Sequence, residues 1–147
     1  MNSLSDIFLT NLEKIAKWAR DRSVWPLAFG TSCCAVEMMH AAASRIDLDR
    51  YGCLFRASPK QADLMIVAGT VTVKLAEQVK ILYDQMLFPK YVIAMGSCAI
   101  SGGIYVDSPH VIQGIDKIVP VDAYILGCPP LPEDLAFEIM KIKGQHT

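Results

Sequence analysis

The sequence lacks a long uninterrupted apolar run, although 52% of its 147 residues are hydrophobic. Lys, Arg, Asp or Glu interrupts each apolar stretch before it reaches the ~20 residues that a membrane-spanning helix needs. The first residues also lack the basic region and apolar segment of an export signal. We therefore expect a chain that does not cross a membrane by itself and that lies on the cytosolic side.

The sequence also lacks a dominant charge and the usual glycine motifs for nucleotides. Fourteen basic and fifteen acidic residues leave a formal net charge of -1, so no overall field attracts nucleic acid or acidic lipid. Neither G-x-x-x-x-G-K-[ST] nor G-x-G-x-x-G occurs, and no nucleotide-phosphate loop is predicted. We expect no nucleic-acid partner. The mean hydropathy of +0.31 excludes a disordered chain.

Apolar residues at helical spacing predict an amphipathic helix over residues 1–22. They are Leu4, Ile7, Phe8, Leu12, Ile15, Trp18 and Ala19. Two interpretations of this helix are open. We favour packing of its apolar face on the protein's own core over docking to a partner or to a membrane surface.

Strands and helices alternate through residues 23–147, which we predict to form a single domain. Apolar runs predict strands at residues 24–29, 63–69, 91–96 and 123–127, with helices at 35–43, at 73–86 and from Pro132 onward. Continuous apolar strands are typical of parallel sheets that are buried on both faces. The predicted fold is α/β, a flavodoxin-like three-layer parallel sheet preceded by the amphipathic helix.

Cysteine follows three of the four predicted strands. Cys33 and Cys34 come in a turn after the first strand, Cys98 follows the third and Cys128 follows the fourth. The carboxyl ends of parallel strands lie at one edge of a sheet, where ligands usually bind. We therefore expect these four thiols to meet in space.

Spacing alone leaves four interpretations of these cysteines. A [4Fe–4S] cluster has four separate irons, so adjacent thiolates can each bind their own corner, which makes a cluster the favoured interpretation. Structural zinc is disfavoured because adjacent cysteines bind one ion only under strain. A disulfide between Cys33 and Cys34 would be a reducible switch. Coincidental core thiols are the remaining alternative, and Cys53 is most simply one of these.

Glu37 and His40, which follow the tandem cysteines on the predicted helix, are weaker candidates for a role in the site. Glu37 lies one helical turn after Cys33, where its charge would tune a nearby redox centre; the alternative is an ordinary carboxylate near a helix start. His40 would be a proton-active group beside such a centre, although a lone helical histidine is more often structural.

Several stretches together resemble one known family, that of the B-type subunit of NADH:quinone oxidoreductase (respiratory complex I) and of its ferredoxin-, F420H2- and hydrogenase-linked relatives. The stretches are Trp25-Pro26-Leu27, residues 30–39 (GTSCCAVEMM), Ser44-Arg45, residues 56–63 (RASPKQAD), residues 68–72 (AGTVT), residues 89–98 (PKYVIAMGSC), Gly102-Gly103, residues 120–124 (PVDAY) and residues 127–130 (GCPP). Hydrogenase small subunits commonly have two residues between their first two cluster cysteines. The absence of such a spacer here indicates the quinone-reducing branch.

This resemblance implies an electron-transfer subunit that is active only within a multisubunit oxidoreductase. Cys33, Cys34, Cys98 and Cys128 would hold the terminal [4Fe–4S] cluster, and the acceptor would be a quinone. Met38 and Met39 match positions that face the acceptor pocket, with core filling as the competing explanation.

The resemblance also implies partners and a location. The partners would be a subunit like the hydrogenase large subunit, a ferredoxin-like iron–sulfur subunit and membrane subunits that couple electron transfer to ion translocation. The chain would be peripheral, at the cytoplasmic face of the inner membrane. Two alternatives are a related archaeal-type complex whose acceptor is a proton, a sulfur compound or a phenazine, and a non-redox, zinc-binding assembly subunit.

Overall fold

The computed structural model describes the backbone of residues 3–144 and the side chains of residues 11–19 and 22–143. Within this range the chain forms four strands: β1 (Pro26–Gly30), β2 (Leu64–Ala68), β3 (Tyr91–Met95) and β4 (Ala123–Ile125). Five α-helices accompany them: α1 (Ser3–Arg22), α2 (Cys33–Ala42), α3 (Val73–Gln85), α4 (Ser97–Ser101) and α5 (Pro132–Gly144). Short 3-10 turns occupy parts of the loops.

The four strands form one parallel sheet in the order β1-β2-β3-β4. A further segment, residues 53–56, runs parallel to the outer edge of β1 through the bridges Val24↔Cys53 and Leu27↔Arg56. With that segment counted as the second strand along the chain, the spatial order is 2-1-3-4-5, the order of flavodoxin. The predicted flavodoxin-like fold is confirmed.

Two apolar cores cover the two faces of the sheet. All five residues of β2 are buried, and their side chains alternate between the two cores, as the two-residue period of a strand requires. Helices α2 and α5 contribute Met38, Leu135 and Ile139 to one core, while α3 contributes Val79 to the other. The sheet is therefore the middle of three layers.

Two helix boundaries differ from the sequence prediction. Helix α2 begins at Cys33, so the tandem cysteines lie in its first turn rather than in the turn before it. The sequence predicts only a turn for the glycine-rich stretch after β3, but that stretch contains the short helix α4, which is flanked by Gly96 and Gly102. Both differences move cysteines from loops onto helix starts.

The favoured interpretation of the N-terminal helix is wrong over the side chains that the structure describes. Leu12, Ile15 and Trp18 are 45%, 61% and 61% exposed, so this part of the apolar face of α1 does not pack on the core. The end of α1 is held instead by Lys143 of α5, whose ammonium donates a hydrogen bond to the Arg22 carbonyl oxygen at 3.0 Å. The division into residues 1–22 and 23–147 stays a prediction.

Over residues 3–144, no helix combines the length with the apolar character that spanning a membrane requires.

Candidate functional site

The four predicted site cysteines lie at the carboxyl edge of the sheet. Cys33, Cys98 and Cys128 each lie three residues after the last residue of a strand, β1, β3 and β4 respectively. Cys33 and Cys34 open α2, and Cys98 is the second residue of α4. Parallel pairing aligns the ends of β1, β2 and β3 as Gly30, Ala68 and Met95. All four cysteines therefore follow strand ends that lie at the same edge of the sheet.

The electrostatics of Cys34 link all four thiols. The pKa of the Cys34 thiol is raised to about 12, chiefly by burial and next by Cys33, which acts through charge and a side-chain hydrogen bond. Cys98 and Cys128 add smaller repulsive contributions to the same pKa. Such contributions require short separations, so the other three thiols all lie within electrostatic range of Cys34.

The thiols differ in exposure. Cys34 and Cys98 are buried, at 2% and 5% of their full exposure, whereas Cys33 and Cys128 are exposed. One half of the group is therefore surrounded by the protein's own core. The other half faces outward, where a second polypeptide could cover it.

Two glycines leave room for these sulfur atoms. A Cβ added at Gly96, whose φ is +91°, would overlap Cys34 Sγ. A Cβ added at Gly103, whose φ is +54°, would lie 2.9 Å from Cys98 Sγ. Glycine is the residue that accepts a positive φ together with such a close approach. The Cys34 and Cys98 thiols are consequently packed against the backbone of Gly96 and Gly103.

Hydrogen bonds tie the cysteine-bearing turns together. The Ser97 N–H and the Ser97 hydroxyl both donate to the Gly127 carbonyl oxygen, at 2.8 and 2.9 Å. These bonds connect the start of α4 to the turn that precedes Cys128. The turns after β3 and β4 therefore have a fixed relative position.

The end of β2 carries hydroxyl groups rather than a thiol. The Thr31 hydroxyl donates to the Thr70 carbonyl oxygen at 2.7 Å, and the Thr70 N–H donates to the Ser32 hydroxyl at 3.1 Å. Ser32 is the residue before α2, and its hydroxyl makes no bond to the helix start. These contacts hold the turn before Cys33 against the turn that follows β2.

The chemistry of the donor set fits a [4Fe–4S] cluster, whose irons bind cysteine thiolates. In the described part of the chain, no three Cys, His, Asp or Glu side chains converge as the ligands of one metal ion do. Four thiolates on a [4Fe–4S] cluster each bind a different iron and therefore stand farther apart than the ligands of one zinc ion. The four cysteines at this edge supply the type and number of ligands that such a cluster binds.

The two methionines line an apolar cavity of about 280 Å³. Met38 is buried and Met39 is 63% exposed, and the rest of the lining is Ala28, Ala42 and Phe55. Both methionines line the cavity, as an acceptor pocket would require, and Met38 also fills the core, as the competing explanation requires. Met39 is the one that faces outward.

The remaining candidates lie on α2 and beside the end of α1. Glu37 is half-buried and its Oε2 lies 3.6 Å from His40 Nδ1, so these two candidates pair with each other across one helical turn. Their predicted roles beside a redox centre stay predictions. Cys53 is fully buried in the core that α2 and α5 cover, and it is bridged to Val24, before β1 begins, rather than lying at the carboxyl edge of the sheet. Burial raises the pKa of the Cys53 thiol, and Lys143 opposes that change.

Comparison with known proteins identifies the family. The family model described as "NADH ubiquinone oxidoreductase, 20 Kd subunit" matches residues 32–142, which include all four site cysteines. The chain belongs to this family. This member of the 20 kDa subunit family is also similar to a chain in the structure of the membrane-bound sulfane sulfur reductase (MBS), an archaeal respiratory membrane complex. The two chains are 42% identical with a TM-score of 0.84, and the match covers 90% of this chain and 75% of the other.

Sequence reasoning on this 20 kDa family member misses the contacts between the cysteine turns. It assigns the glycine-rich stretch only to the turn around Cys98, although Gly96 and Ser97 both lie against neighbouring turns of the site. The available signal is the run Gly96-Ser97-Cys98 directly after a buried strand. It indicates a close backbone approach at the glycine and a hydroxyl beside the site.

Proposed function

We propose that this chain is an electron-transfer subunit of a complex I-type respiratory membrane complex, in which Cys33, Cys34, Cys98 and Cys128 hold one [4Fe–4S] cluster. Such a cluster supplies a one-electron carrier. The observation that carries the proposal is the placement of these four cysteines after strand ends at one edge of the sheet, with the Cys34 sulfur against Gly96, two residues before Cys98. Membership of an oxidoreductase subunit family supports it.

The chain's own residues would protect and tune this centre. Burial of Cys34 and Cys98 excludes water from one side, and exclusion of water and nearby N–H groups both affect the reduction potential of a cluster. The exposed Cys33 and Cys128 would lie on the side from which electrons enter or leave. Glu37 would add a negative charge near this centre and so lower its potential.

A partner subunit would cover the exposed side of the site. Large apolar side chains stand exposed on the helices and loops that follow β1, β3 and β4, namely Val36, Met39, Ile104, Leu126 and Leu131. Exposed apolar patches of this kind mark interaction sites. We propose that a subunit like the hydrogenase large subunit covers them, with a ferredoxin-like subunit and ion-translocating membrane subunits in the same complex at the cytoplasmic membrane face.

Two acceptors have separate support. The apolar cavity beside Met38 and Met39 suits a quinone headgroup or another apolar molecule. The 42% identity with a chain of a sulfane sulfur reductase complex supports a sulfur compound instead. Both acceptors accept electrons from the same centre, so the ligand assignment does not depend on which one is used.

Iron and acid-labile sulfide analysis of the anaerobically purified complex, together with low-temperature EPR, tests the ligand assignment. Cys98→Ala should abolish one cluster signal and acceptor reduction together. Cys53→Ala is the matched control, because it removes a buried thiol outside the site, and it should retain both. A Cys98→Ala complex that keeps both, or zinc in place of iron in the wild type, contradicts the proposal.

Acceptor assays with a menaquinone analogue and with polysulfide distinguish the two acceptors. If the cavity binds a quinone, Met39→Gln should lower quinone reduction while leaving the cluster EPR signal unchanged. Val36→Gln is the control, since Val36 is similarly exposed on α2 but does not line the cavity. Activity with polysulfide alone would reject the quinone.

A further inference from the structure

Two residues without a thiol join the turns that carry Cys34, Cys98 and Cys128. We propose that Gly96 and Ser97 are positioning residues that fix the relative places of these three sulfur atoms before any metal binds. This inference rests on the proposed function only in taking the three thiols as cluster ligands.

Gly96 provides the space that the Cys34 sulfur occupies. Its backbone, with φ 91° and ψ 156°, lies in a region that only glycine enters readily. A side chain here would overlap Cys34 Sγ, and the same added Cβ would stand 3.6 Å from the Gly127 carbonyl oxygen. The Cys34 sulfur therefore rests on backbone that is two residues from Cys98 and close to the residue before Cys128.

Ser97 fixes the distance and the orientation between the other two turns. Its N–H and its hydroxyl donate to one acceptor, the Gly127 carbonyl oxygen, at 2.8 and 2.9 Å. Ser97 directly precedes Cys98, and Gly127 directly precedes Cys128. Two donors on one acceptor prevent a rotation that a single bond would allow, so the hydroxyl orients the turn in addition to holding it.

A preset arrangement matters because a [4Fe–4S] cluster is rigid and requires four thiolates at fixed separations. Residues that orient metal ligands typically change metal affinity by about 10- to 100-fold when they are lost. The contacts of Gly96 and Ser97 are made by the protein alone. They therefore supply the ligand geometry in advance of metal binding.

Gly114 provides a matched control for Gly96. Its backbone, with φ 110° and ψ 131°, is in a similar glycine-favouring region. An added Cβ there would meet Asp116 and the Ile100 carbonyl oxygen rather than a cysteine. Alanine at either position thus introduces comparable backbone strain and crowding, but only Gly96→Ala displaces a sulfur atom.

The first experiment measures release of iron to a ferrous chelator and the EPR spectrum in the purified complex. Gly96→Ala should release cluster iron about tenfold faster than wild type and shift the g-values. Gly114→Ala should keep the wild-type spectrum and release rate even where its thermal midpoint falls. Wild-type behaviour of Gly96→Ala, or equal changes in both variants, would overturn the role of Gly96.

The second experiment tests Ser97 and does not depend on whether Gly96→Ala folds. Ser97→Ala should also release iron about tenfold faster and shift the g-values, while Ser97→Thr, which keeps the hydroxyl, should restore both. Ser101→Ala is the control, because the Ser101 hydroxyl donates to the Ser97 carbonyl oxygen within α4 and, among the described residues, to no other turn of the site. A wild-type spectrum in Ser97→Ala, or no rescue by threonine, would reject the inference.

Hydrogen exchange of the metal-free chain separates this inference from the proposed function. Amide deuteration of the peptides that span residues 96–103 and 123–128 should be slower in the wild type and in Ser101→Ala than in Ser97→Ala, as measured by mass spectrometry, because the Ser97 hydroxyl helps to hold these two turns together. If the wild-type complex carries no cluster but this difference holds, the proposed function fails and the positioning role stands. Equal exchange would overturn the positioning role regardless of the cluster.

Discussion

At the scale of single residues, the two tandem thiols have different surroundings although they are neighbours in the sequence. Cys33 is exposed, whereas Cys34 is buried under the start of α2 and packed against Gly96. Consecutive residues at a helix start point in different directions around the axis. The tandem pair can therefore place one sulfur in the core and the other at the surface.

The raised pKa of Cys34 predicts how the stability of the metal-free protein depends on pH. An unfolded thiol ionises near its ordinary value of 9.0, whereas the folded Cys34 thiol stays protonated until about pH 12, chiefly because burial disfavours its charged form. The stability contribution is therefore complete below pH 9.0 and is lost as pH rises toward about 12. Urea unfolding between pH 8 and 11 should show a falling free energy of unfolding.

Variants identify which thiol causes this fall. Cys34→Ser should flatten the pH profile, because serine does not ionise in this range. Cys53→Ala should flatten it as well, since burial also raises the pKa of the Cys53 thiol. A profile that stays as steep in the double variant would contradict this origin.

At the scale of elements, two nearby threonines before helix α3 differ in their hydrogen bonds. Thr72 caps the helix, whereas Thr70 does not. The Thr72 hydroxyl accepts a hydrogen bond from the Leu75 N–H at 3.3 Å and caps the helix. The Thr70 hydroxyl is buried without a hydrogen-bond partner in the described structure. Two threonines two residues apart thus have opposite expected contributions to stability.

We expect Thr72→Ala to lower the free energy of unfolding by about 1 kcal/mol, the usual effect of losing an N-cap. Thr70→Val should be neutral or stabilising, because it replaces an unsatisfied buried hydroxyl with a methyl group of similar size. Denaturant titration of both variants checks this pair. A larger loss in Thr70→Val than in Thr72→Ala would show that the Thr70 hydroxyl has a partner in solution.

The elements also show what the sequence could predict. The run at residues 63–69 predicts β2 to within one residue at each end, because five consecutive buried side chains leave a continuous apolar signal. Helix α4 escapes prediction, since five residues are too few for a helical period to show. The exposure of Leu12, Ile15 and Trp18 on α1 could not be predicted either, because periodicity identifies an apolar face but not what covers it.

The same limit applies to the site. Cysteines at strand ends predict a shared edge from topology alone, because parallel strands bring their carboxyl ends together. The two hydrogen bonds from Ser97 to the Gly127 carbonyl oxygen join residues that are 30 positions apart. The run Gly96-Ser97-Cys98 indicates a hydroxyl beside the site, but no local pattern identifies Gly127 as its acceptor, so only the folded chain reveals the contact.

At the scale of the whole molecule, large exposed apolar residues occur at both edges of the sheet. Leu126, beside the turn of Cys128, is 75% exposed, and Phe88, in the loop that enters β3, is 91% exposed. The carboxyl ends of parallel strands lie at one edge and the loops that enter the strands at the other. The two residues therefore report on opposite sides of the protein.

We expect Leu126→Glu to prevent recovery of the chain with its complex, because an unpaired charge in a covered interface costs several kcal/mol. Phe88→Glu should assemble normally, since the proposed partner covers the carboxyl edge. Co-purification with a tagged subunit measures both, and circular dichroism of each isolated variant confirms that it folds. Loss of assembly in Phe88→Glu alone would place the partner at the other edge.

The uneven exposure of the four thiols has a consequence for biogenesis. A cluster bound there would be shielded from solvent by this chain on the side of Cys34 and Cys98. It would be accessible to dioxygen on the side of Cys33 and Cys128. Its lifetime in a free subunit would then depend on how soon a second chain arrives. Insertion of iron and sulfide and joining of subunits would have to follow one another closely.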